Sequence, residues 1–284
     1  MIMQSAFYRT ALGINQRITN RTDMKRIYFT LIALMATLVV SAQTIEVYEY
    51  NTDGSLKSVP AYTSSEKVKV IFKEKAGHEY VDLGLPSGTL WATCNVGADK
   101  PEDFGDYFAW GETTPKDTYD EESYKWMNDG MDTWTQINKY TVPDGQTAGR
   151  WYFGGTFIGD NKSELLPEDD AATANWGSDW RMPTHAQQME LLKSAYTETE
   201  WTTVNGVNGY KITSKTNGKS IFLPVAGYFY YGSIYNDSYG GYWSREVHPN
   251  RTDLAWRIQL GSDYIGANDH AMRFYGLSVR PVRK

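Results

Sequence analysis

Glu168-Asp169-Asp170, followed by Asn175 and Asp179, is the densest run of oxygen ligands in the chain. A hard cation such as calcium takes six to eight oxygens, and acidic loop clusters can supply them. The set named by this reading is Asp169, Asp170, Asn175 and Asp179, with Asp144, Asp160 and Asn161 as further donors. The spacing is not that of an EF-hand loop. The competing reading, which the sequence favours, is that Asp170-Ala171-Ala172 opens a helical turn with an acid at its positive end.

The second chemistry is aromatic. Trp126, Trp134, Tyr140, Trp151, Tyr152 and Phe153 fall in one irregular stretch; Tyr228, Phe229, Tyr230, Tyr231, Tyr235, Tyr239 and Tyr242 fall in another, spaced by Gly, Ser and Asn. Sugars present C–H faces that stack on rings, while amides and carboxylates bond the hydroxyls. Tyr-rich loops also suit protein recognition, because a ring gives rigid contact area at low entropic cost. The opposing reading is that these rings pack a region lacking regular structure. The ligand-binding expectation rests on Trp126, Trp134, Trp151, Tyr152, Tyr228, Tyr230, Tyr231, Tyr235, Tyr239 and Tyr242, with 228–242 the leading stretch. Arg181, between Trp180 and a helix start, joins them as a group for a carboxylate or hydroxyl; its bland reading is a corner ion pair.

Catalytic signatures are missing. There is no Gly-x-Ser-x-Gly elbow and no His-Glu-x-x-His zinc helix, and His78, His185, His248 and His270 are scattered in sequence. His185 is expected in a helix's first turn, neutral and facing solvent. A carboxylate-dependent glycoside hydrolase stays open as a further alternative, since the many acids always offer pairs. The single Cys, Cys94, excludes an internal disulfide and a Cys-rich zinc module.

The elements that must position these groups are short and β-rich. Runs such as Thr89–Thr93, Tyr107–Gly111, Ser220–Pro224, Gly241–Ser244, Ala255–Leu260 and 276–282 read as strands between glycine turns. One helix is clear: Thr184 caps it, Gln187 completes a capping box, and Met189, Leu191, Leu192 and Ala195 form the expected apolar face. Residues 112–175 form a long irregular stretch, and such stretches tend to be functional. The fold class expected is α+β, with a twisted antiparallel sheet, few helices and a large loop region.

Lys25-Arg26 precedes an apolar run of 13 residues, Tyr28–Val40, and then Ser41-Ala42-Gln43. A basic start, a run too short to span a bilayer and small cleavage residues make a signal peptide, cut after Ala42, with Met24 as the natural start. Residues 43–76 read as a small β segment or linker, and 77–284 as the main domain. Removing residues 1–42 takes away five basic residues and one acidic one, leaving 23 against 33 and a net charge of −10. That balance disfavours nucleic acid and anionic membrane as partners. No integral membrane segment is expected after cleavage. The chain of 284 residues, 41% hydrophobic and 14% aromatic, is too apolar to be disordered.

Several ordered motifs carry a resemblance. Glu79–Ala98, with its Leu-Gly-Leu-Pro-Ser-Gly-Thr-Leu-Trp-Ala-Thr-Cys-Asn-Val-Gly core, resembles the opening of the Fibrobacter succinogenes major paralogous domain family. So do Phe104–Glu112, Asp169–Ala172, Trp176–Thr184, Ile221–Pro224, Gly241–Ser244 and Ser278–Val282. The resemblance spans about residues 78–283. It implies an exported protein of Bacteroidetes-type bacteria, placed in the periplasm, on the cell surface or outside the cell, with a fold similar to C-type lectin-like domains and no established reaction. It also implies a second Cys near Ala195-Tyr196, absent here, so Cys94 is expected as a small buried hydrophobe. A formylglycine-generating enzyme has a related fold, but its chemistry needs paired cysteines. The function expected is non-catalytic binding of a glycan or another surface ligand. The alternative is a structural or adhesive module of a surface appendage that contacts protein.

Overall fold

The computed structural model describes residues 78–128, 134–143, 149–235 and 239–283. The expected signal peptide, the β segment at 43–76 and Asp144 lie outside these residues. The described chain is mostly β-sheet with two short helices, as the composition of short apolar runs and glycine turns predicts.

Three sheets and two hairpins carry the fold. A three-stranded sheet is ordered β1 (Tyr80–Asp82), β2 (Leu90–Ala92) and β15 (Val282–Arg283). A second is ordered β6 (Thr197–Val204), β7 (Val207–Ser214) and β8 (Ser220–Pro224). The central sheet is ordered β13 (Tyr264–Met272), β12 (Arg251–Gly261), β11 (Tyr239–His248), β14 (Leu277–Ser278) and β3 (Tyr107–Phe108), with only the β11–β14 pair parallel. The hairpins are β4 (Tyr152–Phe153) with β5 (Thr156–Phe157), and β9 (Tyr228–Tyr230) with β10 (Ser233–Tyr235).

Three hairpin turns share one form. Asn205-Gly206, Gly154-Gly155 and Tyr231-Gly232 each join two strands through a two-residue loop with both φ angles positive. This left-handed backbone matches the strand twist and usually takes Asn or Gly. Tyr231, at φ 47°, is the exception.

Each side chain along β11 turns to the face opposite its neighbour's, as strand geometry requires. Tyr242 goes to a core with Ile258, Leu260, Ala267, Tyr210, Leu223 and Trp91. Trp243 goes to the other side, with Phe108, Trp110, Ala255 and Leu277. Helix α1 (Ala171–Trp176) buries Ala171 and Ala172 in this second core. Helix α2 (His185–Leu191) carries the complete Thr184–Gln187 capping box. Its buried face differs from the one expected: Leu191, Gln187 and Gln188 are buried while Met189 is exposed. Gln188 is tolerated because its amide donates to the Tyr242 carbonyl at 3.0 Å, and Gln187 donates to Thr89 Oγ1 at 2.7 Å.

Two arginines lie fully inside. Arg280 donates to Asn95 Oδ1 and to the carbonyls of Ala92, Thr93 and Phe222. Arg273 donates to the carbonyls of Lys139, Tyr140 and Thr252 and to the Tyr124 hydroxyl, beneath the Trp110 ring. The Arg273 cage binds the long irregular stretch to the sheet through Lys139 and Tyr140. No helix among the described residues is long and apolar enough to cross a membrane.

Candidate functional site: a tyrosine-walled hollow

The face of the central sheet that buries Trp243 also carries Tyr239, Arg257 and Gln259. The register fixes this, since Tyr239 pairs with Gly261, Gly241 with Gln259 and Trp243 with Arg257, and residues directly opposite in a sheet share a face. Gly241 matters here. A Cβ at that position would stand 3.3 Å from Arg257 Cδ and Nη1, so the missing side chain lets the arginine lie along the sheet.

A wall rises beside these residues. The Tyr228 ring stacks on Tyr275 at 5.7 Å and 6°, and on Tyr235 at 5.2 Å and 13°. The backbone of Phe229 exchanges hydrogen bonds with Gly276 at 2.8 and 3.0 Å, which ties hairpin β9–β10 to the turn before β14. Between wall and sheet lies a hollow of about 200 Å³, lined by Tyr228, Tyr239, Gly240, Arg257, Gln259 and Tyr275. Tyr239 is half exposed at its rim.

The polar groups in this hollow are three phenols, a guanidinium and an amide. Arg257 Nε donates to Asp269 Oδ2 at 2.8 Å, across the directly paired strands β12 and β13. Burial raises the Tyr275 phenol above its usual pKa, with Tyr230 and Tyr228 adding to the rise and Arg257 opposing it. That phenol stays protonated at neutral pH. Farther along the hairpin, Tyr231 donates to Glu121 Oε2 at 2.7 Å, and this bond pushes its pKa up to about 12. A bulky residue in left-handed backbone is strained, and the Glu121 bond with the edge contact to Tyr230 at 4.5 Å holds it there.

The expected ligand residues separate into distinct settings. Tyr228 and Tyr239 line the hollow, while Tyr230, Tyr231 and Tyr235 extend the aromatic cluster beside it. Tyr242 does not: it is buried, and its hydroxyl donates to the Pro224 carbonyl at 2.7 Å. Strand alternation turns it to the opposite face from Tyr239. Trp151 is likewise buried, under the long irregular stretch, with half-buried Trp134 at 6.0 Å. Trp126 donates to the Gly111 carbonyl, and the Lys125 and Lys139 ammonium groups lie 4.2 and 4.4 Å from its ring centroid. Tyr152 packs edge-on against Phe157. None of these four is in the lining of the hollow. Arg181 is not either; its backbone bridges to Val282.

The acidic set forms no shared cage of oxygens. Asp170 caps α1, accepting from the N–H groups of Ala172, Thr173 and Met182. Asp169 is held by Lys125 and Lys139 and accepts from the Tyr140 hydroxyl. Asn175 donates to the Thr113 and Ala171 carbonyls, and exposed Asp179 pairs with Arg283. Asp160 accepts the N–H groups of Tyr140, Thr141 and Lys162; burial opposes its charge, but these bonds outweigh it and hold its pKa below the usual carboxylate value. Among the described residues no three His, Cys, Asp or Glu side chains converge to hold a metal ion.

The histidines are less scattered in space than in sequence. His185 stacks on Trp256 at 4.2 Å and 2°, His248 lies 4.6 Å from the same ring, and His270 is 5.1 Å from His248. His185 is therefore half-buried and not solvent-facing, with its Nε2 3.0 Å from the Ala267 carbonyl. Cys94 is also half-buried, with no disulfide, in contact with Thr93.

Sequence reasoning missed Arg257, Gln259 and Tyr275. The signal was available in part: Arg257 and Gln259 alternate with Trp256, Ile258 and Leu260, which places them together on one face of a strand. No family model, curated protein or solved structure matches the chain.

Proposed function

We propose that this chain is an exported, non-catalytic binding module that holds a glycan in the tyrosine-walled hollow. The observation that carries the reading is the lining itself: three tyrosines, one of them at an open rim, around an arginine and a glutamine on a sheet face. Rings give a sugar's C–H face a flat support, and the guanidinium, amide and phenols supply directed bonds to hydroxyls. The mostly β architecture with few helices and a long loop region is compatible with a C-type lectin-like domain, an assignment that rests on the motif resemblance. Export rests on the basic-apolar-small pattern at residues 25–42. The acidic balance of residues 43–284 favours a neutral ligand over nucleic acid.

The test is a glycan array probed with the full chain, followed by calorimetry on the best ligand. Tyr239→Ala should lower affinity ten- to a hundredfold, about 1.4–2.7 kcal/mol, with unchanged melting temperature. Phe153→Ala, on the exposed tip of hairpin β4–β5, should leave affinity intact. Equal losses for the two variants, or no glycan bound, would remove the reading.

One observation favours the protein-contact alternative. Tyr231, Ile234 and Tyr235 are all exposed at the end of hairpin β9–β10, and a protruding apolar tip suits a protein partner. A hydrolase needs two carboxylates across its ligand, and the described lining residues supply none.

A further inference from the structure

We infer that Asp269, which is not itself in the lining, sets the charge selectivity of the hollow: by holding Arg257 in an ion pair it makes the site accept neutral sugars and refuse uronates. The inference rests on the glycan reading above and names the class of sugar.

An arginine in a part-buried hollow is ordinarily a carboxylate receptor, because its planar fork matches a carboxylate with two parallel bonds. Here one donor of that fork, Nε, is already committed to a carboxylate, whose negative charge stands beside the rest of the guanidinium. Arg257 and Asp269 are direct partners in the β12–β13 register, Nε meets Oδ2 at 2.8 Å, and both side chains are largely shielded, 13% and 25% exposed. In such a setting an ion pair is screened less than at an open surface. An incoming uronate would have to displace Asp269 or lie beside a second negative charge. A neutral sugar meets neither cost.

The remaining lining agrees. Gln259 offers both a donor and an acceptor with no charge. Tyr228, Tyr239 and Tyr275 add phenols and ring faces. Because burial raises the Tyr275 phenol, it adds no negative charge at neutral pH. The chain's formal net charge of −6 opposes anions at longer range. Asp269 therefore acts as a positioning residue, through Arg257.

The experiment is calorimetry of the full chain with matched oligosaccharide pairs: galactan and polygalacturonate, mannan and polymannuronate, glucan and polyglucuronate. Wild type should bind at least one neutral member tenfold or more tighter than its uronate partner. Asp269→Asn should raise affinity for that uronate at least tenfold, in a salt-sensitive way, and Asp269→Ser should repeat the effect if the amide perturbs folding. Adding Arg257→Gln to Asp269→Asn should abolish the gain. If wild type binds a neutral sugar but both Asp269 variants keep its neutral-to-uronate ratio, or if wild type prefers the uronate, the selectivity inference is overturned and the glycan reading stands. If wild type binds no sugar of the panel, both fall together.

Discussion

Tyr228 and Tyr275 lie face to face, 5.7 Å apart and 6° from parallel, although one belongs to hairpin β9–β10 and the other to the turn between β13 and β14. Their stack makes the hollow's wall a joint product of two chain segments. Tyr275→Phe should keep the ring and preserve binding within about threefold. Tyr275→Ala should cost tenfold or more, since loss of a wall ring removes about 1–2 kcal/mol. Calorimetry with the bound oligosaccharide checks both; equal effects of Phe and Ala would place the phenol's hydroxyl, not the ring, at the centre of recognition.

Arg273 is buried, pairs with no carboxylate among the described residues, and donates to the carbonyls of Lys139, Tyr140 and Thr252 and to the Tyr124 hydroxyl. Arg273→Met should destabilise the domain by about 3–5 kcal/mol, because it strands several buried acceptors at once. Urea unfolding measures this. A loss under about 1 kcal/mol would mean that water replaces the guanidinium freely and that the cage is not what binds the irregular stretch to the sheet.

Burial lowers the pKa values of His185 and His248 below the ordinary histidine value, and for His248 the neighbouring His270 adds to the effect. The unfolded chain takes up protons near pH 6.5, before the folded chain does, so stability is full above that pH and declines as pH falls through the lower folded values. Melting temperature should drop between pH 7 and pH 5. His185→Phe, which keeps the stack on Trp256, should flatten that slope. An unchanged slope would mean that other groups carry the acid sensitivity.

The acidic run around Asp169 and Asp170 spends its oxygens on two lysines, the Tyr140 hydroxyl and three backbone N–H groups. Millimolar calcium should therefore leave the melting temperature unchanged relative to chelator, because an ion bound to the folded state raises it by mass action. A calcium-dependent rise of several degrees would contradict this assignment of the carboxylates.

What the sequence discloses about this fold is local. Thr184 and Gln187 announce α2 because a capping box acts within four residues. Asp170 before Ala171-Ala172 likewise marks α1. Strands β6 and β7 flank an Asn205-Gly206 turn that marks a hairpin as plainly, yet the glutamates and threonines of Thr197–Val204 give little apolar alternation to draw attention to it. The site is less legible because its members are distant in sequence. Tyr228 and Tyr239 stand out by composition, but both faces of β11 are covered: parity only sends Tyr242 to one core and Trp243 to the other, and Tyr239 is exposed because it begins the strand. Arg257 and Gln259 are placed by pairing with β11, and Tyr275 by its stack on Tyr228. The meeting of three histidines at Trp256 likewise depends on the order of β11, β12 and β13.

The central claim is that a sugar rests against the rings of Tyr228, Tyr239 and Tyr275. NMR of the full chain with ¹³C-labelled tyrosine rings, titrated with an oligosaccharide selected on the array, tests it most directly. Saturable shifts confined to the resonances of those three residues and their stacked neighbours are the predicted result. Shifts that leave the three unmoved, with changes only at Tyr152 or elsewhere, would contradict it.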